Sequence, residues 1–199
     1  MMRKLILIPI TLLILFACQN TGEEINIESE IMEAAPDNAV YKVFGDSITT
    51  IAQATLMSNV MTAVKEGGFA HAVQFCNVEA IPLTTNAVEG FGGSIERISD
   101  RNRNPDNYLK TATDKAVFKY FQEEATAKDT LAFVGNEYVY YKRINLAMEN
   151  CLNCHGDKGV INSAALTKIQ ELYPKDKAQG YHLNDLRGAW KVSIPNNTF

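Results

Sequence analysis

Cys151-Leu152-Asn153-Cys154-His155 places two thiols and an imidazole within five consecutive positions. That spacing is the attachment pattern of c-type haem. The two thiols can add across the two vinyl groups of a porphyrin as thioethers, and the short loop then holds the next residue under the iron. His155 is therefore the expected proximal ligand, and one covalent haem c the expected cofactor. Gly156 follows at once and lets the backbone turn away from the porphyrin edge. Other chemistries compete for the pair. In an exported chain, paired cysteines suggest a disulfide. A thioredoxin-like redox pair wants a helix N-terminus in a βαβ setting, which the flanking sequence does not show. A zinc site wants two further Cys or His ligands at close spacing, and Cys76 and His182 are poorly placed to supply them.

One motif means one haem, so the sixth position on the iron needs its own ligand. The candidates are Cys76, His71, His182, Met57, Met61 and Met148. Phe69, Ala72, Val73, Cys76 and Ala80 recur at three and four residues, the signature of one apolar helix face. Gly67-Gly68 breaks the chain before this helix, and Pro82 is expected to stop it. His71 and Cys76 stand five residues apart, roughly 140° around a helix, so only one can face a pocket squarely. Cys76 shares its face with Phe69 and Val73, whereas His71 lies with Phe75 and Val78. From the residues alone Cys76 stays open between an iron ligand and a buried structural thiol. Core packing is the ordinary role for the methionines, and a surface or hydrogen-bonding role for the two histidines.

The elements that must position these groups follow from periodicity. Thr50 to Lys65 reads as a helix, with Ala52, Leu56, Val60 and Val64 at four-residue spacing, and the Cys76 helix follows. Gly93 to Ser99 alternates as a half-buried strand. Thr113 to Ala127 is a further helix. Leu131 to Val134 and Tyr138 to Ile144 flank Gly135-Asn136-Glu137 as a hairpin, and Leu186 to Ile194 is a last strand. Helices first and an antiparallel sheet after them predict a two-layer α+β domain. The haem would lie between the Cys76 helix and the sheet that carries the attachment loop. Phe69, Phe75, Tyr138, Tyr140 and Tyr141 are candidate walls, and Arg97, Arg101 and Arg103 are candidate partners for haem propionates.

Composition narrows the class. Apolar residues make up 46 % and charged residues 21 % of 199, as in a globular protein rather than a disordered tail or fibre. Nineteen Lys and Arg against 23 Asp and Glu give a net charge of −4, which excludes a phosphate-seeking nucleic-acid binder. Met1 to Ala17 reads as a signal peptide: Arg3 and Lys4, then an apolar run from Leu5 to Phe16 too short to span a ~30 Å hydrocarbon core. Leu15-Phe16-Ala17-Cys18 resembles the lipobox of bacterial lipoproteins, which implies lipidation of Cys18 and a bilayer as one partner. An ordinary signal peptide cleaved nearby is the alternative. Gln19 after Cys18 favours the outer membrane, so the expected location is the periplasm. Residues 18–37 form an acidic, aperiodic tether, and residues 38–199 the haem domain.

Several blocks are similar to the Tll-type, PAS-like family of exported single-haem c proteins. They are Ala72-Val73-Gln74-Phe75-Cys76, Arg103-Asn104-Pro105-Asp106-Asn107 and Cys151-Leu152-Asn153-Cys154-His155-Gly156, then Tyr173 to Ala178 and Gly180-Tyr181, and last Asp185-Leu186-Arg187-Gly188-Ala189. Together they span most of residues 50 to 195. The resemblance implies a PAS-like antiparallel sheet, with His155 and Cys76 as the axial pair. In one place the pattern departs: a glycine is expected just before Asp185, and Asn184 stands there.

A His/Cys pair implies six-coordinate, low-spin iron with a lower reduction potential than a His/Met cytochrome. Two roles follow. One is a tethered one-electron carrier. The other is a redox or diatomic-gas (NO or CO) sensor signalling through a separate partner protein. The chain shows no output domain after its last strand, which favours the carrier. No catalytic Ser/His/Asp set, metal cluster or phosphate loop suggests an enzyme. Peroxidase chemistry would need His71 or His182 at an open distal site.

Overall fold

A computed structural model describes residues 38–86, 89–90 and 92–199. The leader, Cys18 and the acidic tether therefore lie outside the described residues. Helix α1 (Ala39–Val78) leads into a short helix α2 (Ala80–Thr85), then strand β1 (Ser94–Ile98) and helix α3 (Ala112–Glu123). Strands β2 (Asp129–Val134) and β3 (Glu137–Asn145) follow, then the single turn α4 (Leu152–His155), helix α5 (Ser163–Leu172) and strand β4 (Leu186–Pro195). The sheet is antiparallel throughout, in the order β1-β4-β3-β2. This is the α+β arrangement that the pattern of helices and strands predicts.

Helix α1 runs 40 residues and is interrupted at Gly67-Gly68, where Gly68 takes φ 74°. The break falls where the sequence places it, because only glycine adopts that conformation cheaply. The helix begins eleven residues earlier than Thr50, however. Its buried face continues upstream through Tyr41, Gly45 and Thr49, and the small and polar members hide the stripe. Gly45 is needed there: a Cβ would lie 2.3 Å from Cγ of Tyr140. Thr49 is fully buried because its hydroxyl donates back to the Gly45 carbonyl at 2.8 Å.

Pro82 does not end the helical run. Helix α1 stops at Val78 and the chain re-enters a helix at Ala80, with Pro82 in the first turn of α2. A first-turn proline costs no hydrogen bond, since those N–H groups have no intrahelical acceptor. Helix α3 starts on a capping box, Thr111 accepting from the Asp114 N–H while Asp114 accepts from the Thr111 N–H. It ends at Glu123, four residues short of Ala127, and β2 begins two residues before Leu131. The hairpin turn is Gly135-Asn136, with Gly135 at φ 64° as a two-residue connection requires.

Trp190, Tyr140, Val192 and Ile194 form the core between α1 and one sheet face. Val117 and Phe121 of α3 pack against Tyr141 and Val139 on the other. Tyr138, Tyr140 and Tyr141 are thus spent on packing. Helix α5 adds to the elements expected from periodicity. It is capped by Asn162 and packs Ala165 and Ile169 against Val73 of α1. No helix among the described residues is long and apolar enough to cross a membrane.

Candidate functional site

A cavity of about 270 Å³ opens between α1, the ends of β1, β3 and β4, and the turn that carries the cysteine pair. Cys151, Cys154 and His155 all line it, and so does Cys76. Cys76, Cys151 and Cys154 are free thiols. Burial pushes the Cys154 thiol up to about 11, with the guanidinium of Arg103 opposing and the other two thiols adding. The structure joins none of the three in a disulfide, and no group of three or more Cys, His, Asp or Glu among the described residues is arranged to hold a metal ion such as zinc.

His155 is presented in one orientation. Its Nδ1 lies 2.9 Å from the Ala178 carbonyl, a pure acceptor, so Nδ1 carries the proton and donates. The lone pair is then on Nε2, the atom a metal would take. Burial, together with Arg103 and Arg187 nearby, pushes His155 well below the usual histidine range, which keeps the ring neutral. The Ala178 carbonyl is itself held by the segment after α5. Asp176 accepts from the Ala178 N–H at 2.9 Å and from Gln179 at 2.8 Å, and it pairs with Arg103 at 3.1 Å.

Arg103 joins this segment to the attachment turn. One Nη donates to the Cys154 carbonyl at 2.7 Å and to the Ala178 carbonyl at 3.2 Å. The Arg-Asn-Pro block thus has a structural reading: Asn104 caps the turn by accepting from the Asp106 N–H, and the turn delivers Arg103 between two segments of the site. Arg103 lines the cavity as expected, but its charge is met by Asp176. Gly156 is required by close approach rather than by its dihedrals. It is extended (φ −69°, ψ −170°), and a Cβ would come 2.8 Å from the Leu152 carbonyl oxygen.

The sixth-ligand candidates separate. His71 is half exposed and sits 4.0 Å from Glu66, outside the cavity lining. His182 is 73 % exposed between Asp157 and Asp185. Cys76 faces the cavity beside Phe69 and Val73, the face its spacing predicts. Its thiol is pushed up by burial against the pull of Arg97 and Arg103, and it lies within electrostatic reach of Cys154. All three candidate methionines line the cavity, Met57 and Met61 from beyond the Gly67-Gly68 break and Met148, 45 % exposed, from its mouth beside the attachment turn. Of the expected walls only Phe69 serves; Phe75 is not part of the lining. Arg101 turns away, with its guanidinium 3.9 Å from the ring of Tyr181.

Two participants were not singled out by spacing. Arg187 lines the cavity from β4, and Asp176 sets the His155 partner. Each stands far along the chain from the group it serves; the sequence marks them only as members of the Tyr173–Ala178 and Asp185–Ala189 blocks. Asn184 explains the one departure from the expected motif. Among the described residues it is the one non-glycine with positive φ, 69°, and asparagine tolerates that conformation better than other side chains. The turn is kept without the glycine.

This α+β fold, with a cysteine-lined cavity between a broken N-terminal helix and an antiparallel sheet, has known relatives. The chain belongs to the Tll0287-like family, which it matches over residues 25–195. Among solved structures it is similar to the cyanobacterial heme-protein Tll0287, with a TM-score of 0.54 at 24 % identity, covering 70 % of this chain and 94 % of that one. No curated protein matches the sequence.

Proposed function

We propose that this chain is an exported, lipid-anchored c-type haem protein that carries single electrons. Cys151 and Cys154 would attach one haem c through thioethers, and His155 and Cys76 would be its axial ligands. When bound, the haem supplies a one-electron redox centre. The observation that carries the reading is the fixed tautomer of His155. Its Nδ1–H is committed to Ala178, so Nε2 is left for a metal in a cavity that two further free thiols and Cys76 also line. The cavity lining is otherwise mostly apolar, as a porphyrin face requires, and the similar solved structure is of a heme-protein. The lipobox at Cys18 supports the anchor and the periplasmic location.

Were His155 and Cys76 both to hold the iron, no position would be left for a substrate, which favours carriage over turnover. A thiolate from Cys76 would favour the oxidised state and lower the potential. The test is a ferric absorption and EPR spectrum of the wild type and of Cys76→Ala. The substitution is expected to remove the thiolate signature while haem stays attached; an unchanged spectrum overturns the ligand assignment. A potentiometric titration with CO and NO present decides the role. Six-coordination held in both oxidation states supports the carrier. Loss of the thiolate on reduction, with gas uptake, identifies a sensor instead.

A further inference from the structure

We propose that Arg97 and Arg187 together form the seat for the two carboxylates of the bound porphyrin, an inference that rests on the haem reading above. The argument starts from charge balance. The cavity is lined by three guanidiniums, those of Arg97, Arg103 and Arg187, and by no Asp, Glu or Lys. Arg103 is neutralised from behind by Asp176 at 3.1 Å, a pair whose side chains are 11 % and 3 % exposed. That leaves two cations facing the cavity.

Neither forms a salt bridge with an acid among the described residues; the Asp176 carboxylate that pairs with Arg103 also lies within electrostatic reach of Arg187, and the Cys76 thiol within that of Arg97. Arg187 donates one Nη to neutral acceptors, the Ser99 hydroxyl and the Arg101 carbonyl, both at 3.3 Å. Its Nε is buried with no hydrogen-bond partner. Its guanidinium rests 5.4 Å from the ring of Tyr181. Burial pushes Arg187 down to about 10. Arg97 sits with its guanidinium 5.7 Å from the Trp190 ring, and burial lowers it as well. The adjacent Glu96 is taken by Lys110 and Lys191.

A guanidinium withdrawn from water without an anion is costly, and two on one cavity wall repel each other. Proteins retain such groups where a ligand supplies the missing charge. Here two guanidiniums face the cavity without a salt bridge, the number of carboxylates a haem carries. The fork of an arginine also matches a carboxylate in shape. The arginines come from strands β1 and β4, which are paired directly, so the sheet holds them in a fixed relation 90 positions apart in sequence.

The test uses the full-length, haem-loaded chain as wild type and as Arg97→Leu, Arg187→Leu and Arg101→Leu, the last a control outside the cavity. At a fixed electrode potential, loss of either seat cation is expected to lower the ferrous-to-ferric ratio by about tenfold or more, because a nearby positive charge favours the reduced iron. The propionate bending bands in resonance Raman should move in the same two variants and not in Arg101→Leu. If a leucine variant loads no haem, Arg97→Lys and Arg187→Lys keep the charge but lose the fork. They are expected to hold the ratio near the wild-type value while still moving the bands. A haem-loaded protein whose bands and ratio are the same in all of these overturns the seat and leaves the haem reading standing. A wild-type chain that takes up no haem overturns both.

Discussion

Removing the Asp176 carboxylate should damage both stability and the presentation of His155, and the size of the damage can be worked from its contacts. Asp176 accepts from Arg103 Nε at 3.1 Å and Nη2 at 3.3 Å, from the Ala178 N–H at 2.9 Å and from Gln179 at 2.8 Å. With the Asp176 side chain 3 % exposed and that of Arg103 11 % exposed, solvent cannot replace the lost partner. Asp176→Ala leaves a buried guanidinium unpaired, and breaking one side of a buried pair costs about 3–5 kcal/mol. Against a domain stability of about 5–15 kcal/mol this is a large fraction. With a urea slope of about 2 kcal/mol per molar, the unfolding midpoint should fall by roughly 2 M. Arg103→Met with Asp176→Leu should recover much of the loss, because the uncompensated charge is gone. The assay is equilibrium urea unfolding followed by circular dichroism. A midpoint shift under about 0.5 M at unchanged slope, or a double variant no better than the single, would refute the view of Arg103–Asp176 as the strut of the site.

Three other outcomes are expected. Asp114 is buried, which pushes its carboxyl up. Hydrogen bonds from Lys191, the Thr111 N–H and Tyr141 outweigh this and hold it below the usual carboxylate range. The depressed folded value means its stabilisation is present above about pH 4 and fades as pH falls through that lower value. Asp114→Asn should therefore be less stable at pH 7 by about 1–3 kcal/mol, and its stability should fall less steeply than the wild type's in an acid titration. Gly45→Ala gains about 1 kcal/mol of helix propensity. It also drives a Cβ to 2.3 Å from Tyr140 Cγ, an overlap that typically costs 1–3 kcal/mol, so the melting temperature should drop by several degrees rather than rise. Gly156→Ala meets the Leu152 carbonyl at 2.8 Å and should reduce haem loading, read as haem per chain, with the overall circular dichroism spectrum preserved.

What could be read from the chain alone divides along physical lines. The attachment motif is local, since all its chemistry lies within five residues, and so its expected role needed no tertiary information. The Gly67-Gly68 break and the Gly135 turn were readable because backbone conformation restricts the residue type there. The upstream end of α1 was hidden because its inner face is built from Gly45 and Thr49, which carry no apolar signal; the sheet approaches too closely for anything larger. Helix α5 was missed although Asn162 followed by Ala165, Leu166, Ile169 and Leu172 is a capped, periodic run. The charge logic of the site was the least visible part. Arg97, Arg101 and Arg103 look equivalent in sequence, yet one faces the cavity without an acid, one stacks on Tyr181 and one is neutralised by Asp176. Only the fold assigns those partners, and only the fold brings Arg187 beside them.

The most direct test of the account is the intact mass of the denatured full-length protein produced in cells that attach haem c. The account predicts one chain carrying one haem that survives acid-acetone extraction, and a Cys151→Ala, Cys154→Ala variant that loses it. A wild-type polypeptide that emerges colourless, at the mass of the chain alone, would contradict it.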